Sequence, residues 1–80
     1  EEWKRNKMII LSQDKTKIIS IPGWSVEAYP YNGYRIIARL PNKNEFHTLG
    51  YYDTPKRMLE VIQEIFDSYD SCIKFIMPEK

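Results

Sequence analysis

Four residues constrain this chain more than any others: Tyr31-Asn32-Gly33-Tyr34, an asparagine–glycine pair held between two aromatics. Asn-Gly accepts positive φ at both centres of a turn, which gives the backbone the twist that two antiparallel strands need. The pair therefore predicts a two-residue hairpin and commits its flanks to strands. Downstream the alternation is clean. Tyr34, Ile36, Ala38 and Leu40 face one way, and Arg35 and Arg39 the other, with Ile37 between them. Upstream there is a conflict. A simple hairpin sets Tyr29 opposite Ile36 and Glu27 opposite Ala38, which puts Glu27 on the apolar face. Pro30 has no N–H to give a ladder, so a bulge or a longer loop there moves the register by one and repairs the pattern.

The rest of the chain reads outward from that hairpin. Met8-Ile9-Ile10-Leu11 and residues 17–21 form an earlier hairpin around the polar turn Ser12-Gln13-Asp14-Lys15-Thr16. Pro22-Gly23 punctuates, and residues 25–29 make a third strand. Beyond Pro41-Asn42-Lys43-Asn44, residues 45–52 complete the meander. Asp53-Thr54-Pro55 then opens a helix with a capping side chain and a proline in the first turn. Met58, Leu59, Val61, Ile62, Ile65, Phe66 and Tyr69 recur at spacings of three and four, while Glu60, Glu64, Asp67 and Asp70 face outward. Asp67 and Asp70 stand at the end the helix dipole disfavours, so the last turn is expected to fray. Residues 72–77 return to alternation, with Ile73, Phe75 and Met77 inward, until Pro78 stops the strand. This order predicts an α+β fold: a curved antiparallel sheet of about five to six strands, packed on one helix of the C-terminal half, with a short final strand.

Eighty residues suffice for one small core. Residues 8–80 read as a single domain, and residues 1–7 as a loosely ordered N-terminal extension. The chain opens at Glu1, which implies processing, trimming or excision from something longer. Cys72 is the only cysteine, which fits a reducing compartment. No apolar run approaches membrane-spanning length, and the N-terminus lacks a signal-like apolar stretch, so the protein is expected to be cytoplasmic with no membrane partner. A net charge of +1 does not announce a nucleic acid. The charge is uneven: residues 1–43 carry eight Lys/Arg against four Asp/Glu, and residues 44–80 four against seven.

Few residues offer chemistry. His47 is the only histidine, and no nearby nucleophile or orienting acid suggests a catalytic base. A Cys72–His47 dyad would place its thiol near Asp67 and Asp70, which work against a thiolate. One histidine and one cysteine cannot fill a zinc site. Glu60, Glu64 and Asp67 share a helix face and read as a solvated surface. No enzyme, metal or cofactor is expected. The candidate binding residues are Tyr29, Tyr31, Tyr34, Arg35, Arg39 and Tyr51, with Tyr52 beside them. Aromatics interleaved with arginine on a sheet stack bases and hold phosphates. They also form cross-strand pairs that stabilise a small sheet, and they recognise proteins.

Two resemblances follow from longer stretches. Met8-Ile9-Ile10-Leu11-Ser12-Gln13-Asp14-Lys15, Gly33-Tyr34-Arg35-Ile36-Ile37-Ala38, Leu49-Gly50-Tyr51-Tyr52-Asp53-Thr54 and a closing Met77-Pro78-Glu79 resemble a family of small uncharacterised proteins of phages and integrated mobile elements of Gram-positive bacteria. That family carries alanine near the position of Met58. The resemblance implies a compact accessory protein, an initiator-like Met8, and no catalytic residues. More loosely, Tyr34 to Ile65 looks like the sheet-plus-helix unit of integrase arm-type DNA-binding domains and AP2 domains, which share a Leu-Gly-x-Tyr/Phe-x-Thr stretch before the helix. There the sheet enters the major groove, which would make Arg35 and Arg39 the DNA contacts. The expectation is a non-enzymatic protein-interaction module of a phage or mobile element, with a homodimer open. Sheet-mediated DNA binding through Arg35 and Arg39 is the alternative.

Overall fold

A computed structural model describes residues 7–69 and 74–80. The elements run β1 (Met8–Leu11), β2 (Ile18–Ile21), β3 (Ser25–Tyr29), β4 (Tyr34–Arg39), β5 (Phe46–Tyr52), α1 (Pro55–Ser68) and β6 (Lys74–Ile76). This is the α+β succession that the sequence predicts. The strands, however, are divided between two open three-stranded sheets, ordered β2-β1-β6 and β3-β4-β5. One reason is the link after β2. Pro22, Gly23 and Trp24 turn the chain out of the ladder, with Gly23 at a φ of 126°, a conformation that favours glycine. The other is β6, which returns beyond the helix and pairs parallel to β1, taking the edge β2 leaves free.

The β3–β4 register is the shifted one. Tyr29 stands opposite Arg35, Ala28 opposite Ile36 and Glu27 opposite Ile37. Asn32 and Gly33 do take positive φ, 56° and 107°. The connection between paired residues is nevertheless longer than two, which returns Val26 and Ala28 to the inner face. A second irregularity lies across the sheet. Ile36 faces Gly50 but Ile37 faces Thr48, so Leu49 is an extra residue in β5. That bulge leaves both Leu49 and Tyr52 buried and turns Tyr51 outward. Gly50 is required by close approach here, since a Cβ would lie 2.9 Å from the Tyr52 hydroxyl oxygen.

The core gathers Met8, Ile10 and Ile19 from the first sheet, Ile36, Ala38, Leu49 and Tyr52 from the second, Met58, Val61 and Ile65 from α1, and Met77. Helix initiation follows the sequence signals: Thr54 is extended, its Oγ1 accepts from Arg57 N at 3.0 Å, and Pro55 is the first helical residue. The helix continues to Ser68, where Tyr69 N donates to Phe66 O in a tightened last turn. Arg57 bridges Glu60 and Glu64 on the outer surface, and Gln63 donates to Asp67. Asp70, Cys72 and Ile73, together with residues 1–6, lie outside the described residues. No described helix is long and apolar enough to cross a membrane.

Gln13 ties the two sheets together. Its backbone N–H donates to Leu49 O, its Oε1 accepts from Tyr51 N at 2.8 Å, and its Nε2 donates to Tyr51 O at 2.9 Å. The side-chain amide thus copies a peptide unit and extends the β5 ladder by one pair. The same Nε2 faces Pro78 O and Glu79 O, which anchors the tail. Tyr52 donates to Pro78 O as well, and burial pushes its phenol up to about 12.

Candidate functional site

The outward face of the β3-β4-β5 sheet is built of three cross-strand rows. The first is Tyr29–Arg35–Tyr51, the second Glu27–Ile37–Thr48 and the third Ser25–Arg39–Phe46. Strand alternation delivers these residues to one side, and the Leu49 bulge brings Tyr51 into line with them. Five of the six residues expected from sequence meet here: Tyr29, Tyr31, Arg35, Arg39 and Tyr51. Tyr34 does not. It stands opposite Tyr52 at the start of β4, on the side of Ile36 and Ala38, and shares no ring contact with the cluster.

Ring and guanidinium contacts knit the face. The Arg35 guanidinium lies 5.0 Å from the Tyr29 centroid and 5.9 Å from those of Phe46 and Tyr51. Arg39 lies 5.4 Å from the same Phe46 ring. Tyr29 packs edge-on to Tyr31 at 5.0 Å and tilted against Phe46 at 5.1 Å. Arg35 is further fixed by Nε donating to Tyr31 O at 3.0 Å and Nη1 donating to Thr48 Oγ1 at 3.1 Å. Beneath this roof Ile37 is fully buried, although it faces away from the main core. The rim stays open, with Tyr31 and Tyr51 exposed to 64% and 56%.

One carboxylate sits inside the cluster. Arg39 Nε donates to Glu27 Oε2 at 2.9 Å, and the Ser25 hydroxyl donates to the same oxygen at 3.1 Å. The Arg39 hydrogen bond above all holds the Glu27 carboxyl below its ordinary range, against a smaller opposing effect of burial. From Thr48 and Tyr51 a polar groove of about 300 Å³ continues past Gln13 to Asp14 and Lys17 in the β1–β2 turn. There Asp14 accepts from the hydroxyls of Thr16 and Ser12 and from Thr16 N–H, which hold its carboxyl far below the usual range.

The strand alternation already sets Ile37 between the two arginines, whereas Phe46, Thr48 and Glu27 are not among the binding residues expected from the sequence. The shifted register carries the signal for Glu27, since it sets that residue opposite Ile37. Phe46 and Thr48 alternate visibly, but only the bulge explains why Tyr51, three residues beyond Thr48, joins them.

Other features are less developed. An apolar cleft of about 280 Å³ lies between Ile21, Trp24 and Val26 and the helix residues Ile62, Ile65 and Phe66, and carries no charged side chain among the described residues. His47 packs against Trp24 and lies 3.4 Å from Glu45. The described residues hold no group of histidine, cysteine and carboxylates suited to a metal ion. Comparison of the chain with protein-family models, with curated proteins and with solved structures finds no match.

Proposed function

We propose that this chain is a non-enzymatic protein-interaction module that binds its partner through the outer face of the β3-β4-β5 sheet. The observation that carries this is the ordered tyrosine–arginine surface itself. Tyrosine and arginine dominate the energetics of protein interfaces. Here both guanidinium groups are already held by rings and hydrogen bonds. Less side-chain freedom is then lost when a partner docks. A place in a phage or integrated element is part of the proposal and rests on the resemblance of residues 8–15, 33–38 and 49–54.

DNA binding through Arg35 and Arg39 is the second reading, favoured by two guanidinium groups on one exposed sheet face. The net charge of +1 argues against it, because phosphate binding calls for a concentrated basic surface. The test has two arms. A displayed random-peptide library is selected on the wild-type protein, and the selected peptides are measured against Tyr29→Ala and Tyr51→Ala. Peptides that bind the wild type and lose affinity on both variants support the reading. Labelled duplex DNA is titrated at two salt concentrations in parallel. Micromolar binding that weakens steeply with salt, without face-dependent peptides, overturns it in favour of DNA.

A further inference from the structure

We infer that the partner presents an acidic segment to this face, and that its carboxylate displaces Glu27 from Arg39. The inference rests on the protein-binding reading and adds the chemistry of the partner.

The argument is one of donor accounting and charge. A guanidinium carries five N–H donors. Arg35 uses Nε on Tyr31 O and Nη1 on Thr48 Oγ1, and its Nη2 has no acceptor among the described residues. Arg39 uses only Nε, on Glu27, so both its terminal nitrogens lack one. The two cations lie over the same Phe46 ring at 5.9 Å and 5.4 Å, and Glu27 is the only carboxylate in the three cross-strand rows. The face is therefore cationic, and among the described residues it holds guanidinium donors that its own acceptors do not use.

Glu27 shows which kind of group Arg39 binds, and also how weakly it is engaged. The contact runs through one nitrogen and one oxygen, with both side chains about one-third exposed. Arginine and carboxylate favour a two-point fork, with two parallel N–H···O bonds, over such a single contact. An incoming carboxylate that reaches the terminal nitrogens gains that second bond, while the released Glu27 returns to water at small cost. Glu27 thus acts as a resident stand-in that keeps the guanidinium oriented until an acidic side chain replaces it.

The probe is a short peptide alternating glutamate with threonine, compared with its glutamine and lysine counterparts. Binding is followed at low salt through the amide shifts of the isotope-labelled protein. The glutamate peptide is expected to shift β4 and β5 amides with a Kd near the millimolar range, and the other two are not. Arg39→Gln should weaken that binding and Glu27→Gln should strengthen it, each by about two- to fivefold. Opposite signs at the two ends of one ion pair are what displacement requires, and the spectra themselves report that both variants fold. Equal binding of the glutamate and glutamine peptides, or a Glu27→Gln variant that binds less, overturns the acidic-partner inference. In that case library peptides that still depend on Tyr29 and Tyr51 leave the interaction face standing. Loss of those as well removes both.

Discussion

The two sheets turn very different surfaces to solvent. On the β3-β4-β5 sheet the central outward residue, Ile37, is fully buried because tyrosine, phenylalanine and two arginine stems fold over it. On the β2-β1-β6 sheet the corresponding row is Ile18–Leu11–Ile76, with Ile9 beside it. Ile18, Ile76 and Ile9 of this face remain 70%, 60% and 40% exposed. Both central strands carry an aliphatic residue facing out. The difference is made by the neighbours. Branched aliphatics are too short to reach across a row, whereas arginine and tyrosine span it and still present polar tips to water. A small sheet with no helix on its outer face can still bury apolar area there, provided its outward residues are long.

This comparison is open to direct challenge. The largest effect is expected at Ile37. Ile37→Ala should cost about 2–4 kcal/mol, while Ile9→Ala should cost about 1 kcal/mol, both read from urea unfolding. Equal losses would mean that the aromatic–arginine roof shields Ile37 no better than solvent-facing Ile9 is shielded.

A smaller effect is expected where the two sheets are joined. Gln13→Ala removes the amide that pairs with Tyr51 and holds the tail carbonyls, and should cost about 1–2 kcal/mol. Hydrogen exchange should quicken at Tyr51 and Met77 in that variant, while β3–β4 amides keep their protection. Uniform quickening across both sheets would show that they open together rather than at the Gln13 junction.

The smallest effect separates the two acidic groups by pH. The folded carboxyls of Asp14 and Glu27 both lie below their ordinary range. Each therefore contributes stability above the unfolded value, near 4, and loses it as pH falls through the folded value. Asp14 has three donors within its own turn, whereas Glu27 depends chiefly on Arg39. Asp14→Asn should flatten the acid side of the stability profile more than Glu27→Gln, measured as urea midpoints at neutral and acid pH. The reverse order would place the acid-sensitive element on the β3-β4-β5 face.

Much of this fold is set by local signals. Asn32-Gly33 specifies the positive-φ turn, Thr54-Pro55 the helix start, and the spacing of Met58, Val61 and Ile65 its buried stripe. The alternation of β4 puts Arg35 and Arg39 on one side and Ile36 and Ala38 on the other. The clash over Glu27 even exposes the register shift at Pro30, because a period of two leaves no intermediate choice. Those features depend on residues close in sequence, so the sequence by itself determines them.

The remaining features depend on residues far apart, and only the tertiary structure decides them. The division into two sheets follows from β6 pairing with β1 across most of the chain, an edge that no local pattern reserves. Whether Tyr51 or Tyr52 joins the outer face turns on one extra residue in β5, and Gly50 beside it reflects the close approach of the Tyr52 ring. Glu27 becomes part of the site only once β3 lies against β4 with Arg39 within reach. Local propensity fixes what each segment is. Long-range pairing fixes which side chains meet, and the site is made of those meetings.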